Sequence, residues 1–145
     1  MSHTSDSLDF ASSAKELSYL YYKSWNTGDL SIPDRIFAEN FTIYDPCSLV
    51  PVLKGPEGVK GRIIDYRIAF PDLKIEVEDV ITETNRVVTR WTLRGTHLGK
   101  FAGLQPSGKP IEVAGITIHR ISSGRIVEAW VNWDTHSLNK QIQIK

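Results

Sequence analysis

A single cysteine, Cys47, and a single methionine in 145 residues leave no intrachain disulfide and no cysteine cluster for a metal. An excess of either charge is also missing. Seventeen lysines and arginines face 17 aspartates and glutamates, so the basic stripe of a nucleic-acid binder is absent, and near-zero net charge removes one barrier to self-association. No apolar run is long enough to cross a bilayer, and the N-terminus lacks the basic-then-apolar layout of a secretory signal. The expectation is a cytoplasmic protein with neither nucleic acid nor membrane as a partner. There is no histidine pair at helical spacing for zinc, no glycine-rich phosphate loop after a strand and no serine elbow. No metal and no cofactor are therefore expected. The length suits one domain. Residues 1–10, polar and serine-rich, are expected to form a loose leader, and residues 11–145 a single domain.

What is present falls into two halves. From Ser12 to Asn26, the residues Leu17, Leu20, Tyr21, Ser24 and Trp25 recur at helical spacing, and Thr27 with Gly28 stops the helix. A short helix is predicted over Ile32 to Ala38, a brief strand over Phe41 to Asp45 and a loop over Pro46 to Pro51. Gly55 and Pro56 open a third helix, with Val59, Ile63, Tyr66 and Phe70 on one face, which Pro71 closes. After Pro71 the period changes to two, giving strands over Leu73 to Thr84, Arg86 to Leu98, Pro110 to Ser122 and Arg125 to Trp133. Asn85 and the Ser123–Gly124 pair mark hairpins, and Gly99 to Gly108 is a longer connection. Asp134 with Thr135 starts a terminal helix. Helices followed by strands indicate an α+β fold.

Both faces of the last two strands are largely apolar. Val113, Gly115, Thr117, His119 and Ile121 share one face, and Ala114, Ile116, Ile118 and Arg120 the other. In the final strand Val127, Ala129, Val131 and Trp133 are expected opposite Ile126, Glu128, Trp130 and Asn132. Helices are predicted to cover one face and a second subunit the other, with a homodimer or a tetramer as the assembly.

The run Trp25, Asn26, Thr27, Gly28, Asp29, Leu30, then Phe70 to Leu73, then Arg90, Trp91 with Gly95, Thr96, His97, and finally Gly124 to Glu128 with Trp130, Trp133 and Asp134, resembles the SnoaL-like polyketide cyclases, also called ester cyclases. The resemblance covers nearly the whole chain. It implies the fold of the nuclear-transport-factor-two-like superfamily, a conical barrel in which a curved sheet is wrapped by helices around a pocket, commonly dimeric or tetrameric. It also implies an aldol-type ring closure by an aspartate on the last strand, with histidines nearby. At those positions this sequence reads Val131 or Asn132 for the aspartate, and Thr117 and Ala129 for the histidines. The chain thus departs from the cyclase pattern at its chemical centre.

Three residues remain as catalytic candidates. Asp45, before Pro46, reads as a general acid or base among apolar neighbours or as a turn aspartate. His119 shares a strand face with Thr117 and reads as a proton carrier or as a satisfied core histidine. Asp134 lies near the catalytic strand, but capping the last helix is the stronger reading. His97 reads as a loop-shaping residue, and His3 and His136 as surface residues. Tyr22, Trp25, Tyr66, Phe70, Trp91, Thr117, Val131 and Trp133 are expected to form the wall of a pocket for a small hydrophobic molecule. Arg90 and Asn132 are expected to hold substrate oxygens, although Arg90 is also placed to pair with Glu76 or Glu78. The leading expectation is a cofactor-independent cyclase or isomerase acting on a polyketide-like or polycyclic intermediate. The alternatives are a non-catalytic binding protein and a water-activating hydrolase or hydroxylation partner.

Overall fold

The computed structural model describes residues 3–143, with side chains from residue 13 onward. Four helices and six strands follow in the order α1 (His3–Thr27), α2 (Ser31–Ile36), β1 (Phe37–Tyr44), β2 (Val52–Lys54), α3 (Gly55–Ala69), β3 (Lys74–Glu83), β4 (Arg86–Thr96), β5 (Pro110–Ser122), β6 (Arg125–Trp133) and α4 (Thr135–Ile142). The strands form one curved sheet in the order β2-β1-β6-β5-β4-β3. Its edges, β2 and β3, do not meet, so the cone stays open. The α+β class and its curved sheet are as the sequence predicts.

Three local expectations change. The helix expected from Ser12 begins at His3, so most of the predicted leader is helical. No glycine or proline interrupts His3 to Asn26, and extending an existing helix costs far less than starting one. The second helix ends at Ile36, and Phe37 and Ala38 belong to β1. Beyond the predicted loop, β2 pairs antiparallel with β1, bringing Val52 opposite Tyr44.

The sheet is mixed: β1 runs parallel to β6, and every other pair is antiparallel. Register shifts between Val77 and Asp79, and between Arg120 and Ile121, bend it. The second shift turns Ile126 to the inner face, fully buried opposite Ile121, instead of outward. Ser123 and Gly124 both take positive φ at the β5–β6 hairpin, as a two-residue turn requires. On the concave side α1 packs on β3 and β4, α3 on β1 and β2, and α4 on β5. The core lies between these helices and the inner row of each strand.

Candidate functional site

The inner face carries a cavity lined by Tyr21, Tyr22 and Trp25 of α1, Arg62 and Tyr66 of α3, and Ile43, Asp45, Ile75, Trp91, Leu93, Thr117, Val131 and Trp133 of the sheet and its β1 end. With its mouth it holds about 460 Å³ free of atoms.

Its indole wall depends on one glycine. In register, Gly115 lies between Trp91 and Trp133, whose rings tilt against each other at 6.2 Å. A Cβ on Gly115 would come within 2.4 Å of the Trp91 ring and 2.7 Å of Trp133 Cβ. Both indoles bend over β5 because that position has no side chain.

One end of the cavity is polar. Asp45, only 4% exposed, follows β1 directly, and its N–H donates to Pro51 O, closing the turn into β2. Its carboxylate has three donors: Arg62 Nη1 at 3.1 Å and Ser48 Oγ at 2.8 Å on Oδ2, and Trp133 Nε1 at 3.2 Å on Oδ1. Arg62 also donates through Nη2 to Val50 O. The Asp45–Arg62 ion pair therefore ties β1, α3, β6 and the 45–51 turn into one buried unit. A carboxylate has about four lone-pair sites. With two bonds on Oδ2 and one on Oδ1, the remaining site is on Oδ1. Two phenols join this end. Burial pushes Tyr21 up to about 12, with the Trp25 indole and the Arg62 guanidinium acting the other way. Burial also raises Tyr66, which Ser48 and Arg62 partly offset.

Two further buried hydrogen bonds lie on the β4–β5 side. Trp91 Nε1 donates to Thr117 Oγ1 at 2.9 Å, and the Tyr22 and Thr89 hydroxyls are hydrogen-bonded to each other. Burial raises the Tyr22 phenol well above its ordinary value.

The expected site residues divide. Tyr22, Trp25, Tyr66, Trp91, Thr117, Val131, Trp133 and Asp45 border the cavity. His119 points inward as alternation requires, but it lies deeper, sealed from the cavity. Its Nδ1 is 3.0 Å from Ser18 Oγ, its ring meets Tyr21 edge-on at 4.8 Å, and its Nε2 has no partner. Burial lowers its pKa to about 3, so it is a neutral core histidine at ordinary pH. Phe70 is buried beside His97 and Phe101, outside the cavity wall. Arg90 stands on the outer face, 2.7 Å from Asp79 rather than beside Glu76 or Glu78, because the bulge at Glu78 shifts β3 by one residue. Asn132 is exposed on the same outer face, since β6 alternates with Val131 and Trp133 inside. Asp134 caps α4, accepting from Ser137 N at 2.9 Å, and does not border the cavity. His97 shapes the 97–109 loop, its Nδ1 accepting from Ser107 N, and His136 is exposed.

Arg62 is the charged cavity residue that the sequence reading passed over, together with Tyr21, Ile43, Ile75 and Leu93 of the walls. A signal was there: Arg62 is three residues after Val59 and four before Tyr66, so a charged side chain interrupts the apolar face of α3.

Among the described residues no cluster of histidine, cysteine, aspartate and glutamate could hold a metal, and no helix is long and apolar enough to cross a membrane.

Similar architectures occur in solved structures. TsrD from Streptomyces laurentii superposes with a TM-score of 0.81 at 25% identity, covering 90% of this chain and 94% of that one. IdmH from Streptomyces antibioticus, described as a candidate polyketide cyclase, gives 0.75 at 28% identity over 88% and 96% of the two chains. AclR from Streptomyces galilaeus, described as a candidate hydroxylase, gives 0.75 at 27% over 86% and 91%. No curated protein matches the chain significantly. The profile of the SnoaL-like polyketide cyclases matches residues 15–142, and with that span the chain belongs to the SnoaL-like polyketide cyclase family.

Proposed function

We propose that this protein is a cofactor-independent cyclase or isomerase that moves protons on a small, largely apolar, polyketide-like molecule bearing oxygen groups. The observation that carries this reading is the buried Asp45–Arg62 pair at one end of a cavity whose other walls are mostly aromatic and aliphatic. The position of the family's aspartate reads Val131 or Asn132 here, neither of them a carboxylate, and in this reading Asp45 at the β1 end carries the proton instead. Asp45 Oδ1 takes a proton from carbon next to a substrate carbonyl, and Arg62 holds the enolate oxygen that forms. The enolate carbon attacks an electrophilic carbon of the same molecule, and the protonated Asp45 returns its proton to the product. The aromatic walls hold the reacting atoms close together.

A binding protein without turnover is the second reading, favoured by the three donors already on Asp45. Mass spectrometry of molecules retained by the purified protein, followed by incubation of the captured compound with fresh protein, separates the two. Conversion supports the enzyme; retention without change supports the carrier.

We also propose that a second copy covers the outer sheet face. In register, Ile81, Val88, Ile118, Trp130, Tyr44 and Val52 form one apolar row across all six strands. The flanking charges, Arg90–Asp79 and Arg120–Glu128, are paired within the chain, so a second copy meets no block of one sign. Light scattering is expected to give twice the chain mass, and Ile118→Glu the monomer; a monomeric wild type refutes the dimer.

A further inference from the structure

The polar end of the cavity holds a hydroxyl whose own hydrogen is uncommitted. Tyr21 borders the cavity with Asp45, Arg62 and Tyr66, and all three act on its phenol. The indole N–H of Trp25, one turn on along α1, is shut off from water and turns to the Tyr21 hydroxyl. An indole nitrogen can only donate, so the phenol oxygen accepts in that contact and keeps its own hydrogen free. Nor is the oxygen shut off. Among the described residues, the buried side-chain polar atoms closed to water without a well-formed bond are Trp25 Nε1, His97 Nε2 and His119 Nε2, and the Tyr21 oxygen is not one of them. The phenol therefore opens on the cavity that it borders.

The ring is also clamped. Tyr22, Phe37 and His119, all buried, meet it edge-on at 5.0, 5.8 and 4.8 Å, so the direction of its hydroxyl is set before any ligand arrives. Burial keeps that hydroxyl protonated at ordinary pH. Arg62, for its part, uses one N–H on Asp45 and one on Val50 of the five that a guanidinium carries. Two donors with hydrogens to spare thus stand at the end where Asp45 Oδ1 keeps a lone pair.

We propose that Tyr21 is a further catalytic residue of this cavity, its hydroxyl donating together with Arg62 to the substrate carbonyl oxygen that becomes the enolate. The inference rests on the reading of Asp45 as the base. When Asp45 Oδ1 takes the proton from carbon, the C–H electron pair forms the C=C bond of the enolate and the carbonyl π pair moves onto oxygen. Tyr21 keeps its proton and shares it with that oxygen in a hydrogen bond that strengthens as the charge develops. The substrate class narrows accordingly to a carbonyl compound with an α-hydrogen, seated oxygen-first at the polar end.

The test uses 2-naphthol, a flat stand-in for an enol, and naphthalene, the same ring system without the oxygen. In fluorescence titrations the wild-type protein is expected to bind 2-naphthol about tenfold more tightly, and Tyr21→Phe to lose most of that preference while its affinity for naphthalene stays the same. An equal loss on both probes, or a loss on neither, overturns the contact. If the variant does not fold, wild-type protein carrying carbon-13 at tyrosine Cζ decides by NMR. The Tyr21 resonance, assigned through its contacts with Phe37 and His119, should move with 2-naphthol and not with naphthalene; movement with both or with neither overturns the contact. Binding of neither probe removes the cavity reading and the inference together. Exchange of the α-hydrogens of 2-tetralone in heavy water then separates Tyr21 from Asp45: Asp45→Asn should abolish it and Tyr21→Phe slow it about a hundredfold. An unchanged rate in Tyr21→Phe beside a loss in Asp45→Asn overturns the role of Tyr21 and leaves that of Asp45 standing. No exchange by the wild type takes away the Asp45 reading and, with it, the catalytic role of Tyr21.

Discussion

Asp45 and His119 are both buried, both on the inner side of the sheet, and both of residue types that carry protons, yet their surroundings are opposite. Asp45 has a guanidinium and two further donors and opens on a cavity. His119 has one partner, Ser18, an orphaned Nε2, and no counter-charge. An ionisable group taken from water with a counter-charge remains available for chemistry, while one taken without it is neutralised and becomes packing. Residue type nominated both; the neighbours separate them.

The largest expected effect breaks the supported member of this comparison. Arg62→Leu leaves the Asp45 carboxylate buried without its counter-charge, and urea unfolding should show a loss of about 3–5 kcal/mol, with partial recovery when Asp45→Asn is added. Little loss would mean that water reaches the pair and that it is not a buried unit. Asp45→Asn alone keeps the shape and should lower a proton-transfer rate by about a hundredfold or more, measured on whatever substrate the retained-molecule experiment yields. Unchanged turnover would move the chemistry elsewhere in the cavity.

His119 sharpens the comparison through pH. Its pKa is lowered from 6.5 when unfolded to about 3 when folded, so as pH falls below 6.5 the unfolded chain takes up a proton that the folded chain refuses until near 3. Its contribution is complete above 6.5 and is lost progressively towards 3, amounting to about 2 kcal/mol at pH 5. In His119→Leu that part of the acid sensitivity should vanish while turnover at pH 7 stays the same. An unchanged stability-versus-pH curve would contradict the sealed, neutral imidazole. The smallest effect is expected at Asp134→Ala, about 1 kcal/mol from the lost helix cap, with no effect on ligand binding; weaker binding in calorimetry would return Asp134 to the site.

Much of the fold was legible because short-range rules fixed it. Gly28 does stop α1 at positive φ, Gly55 with Pro56 does open α3, and Ser123–Gly124 does turn β5 into β6. That Thr117 shares a face with His119, and Val131 with Trp133, followed from period two, and the family resemblance implied that these faces turn inward. The errors arose where one residue of register mattered: the bulge at Glu78 carries Asp79 to Arg90, and the shift beside Ile121 carries Ile126 inward. The second shift leaves no mark in the alternation because Ile126 and Val127 are both apolar, whereas the first does leave one, the adjacent Glu78 and Asp79 between Val77 and Val80.

The sequence by itself determined the class, the order of the four helices and of five of the six strands, and most of the inner row of the sheet, since each depends on residue type and local spacing. Only the tertiary structure decided which buried polar groups matter. Arg62 reaches Asp45 across 17 positions because α3 lies over β1, while His119 and Thr117 share a face but differ in depth because α1 closes over one and leaves space above the other. Desolvation and counter-charge are properties of packing in three dimensions, and no periodicity along the chain encodes them.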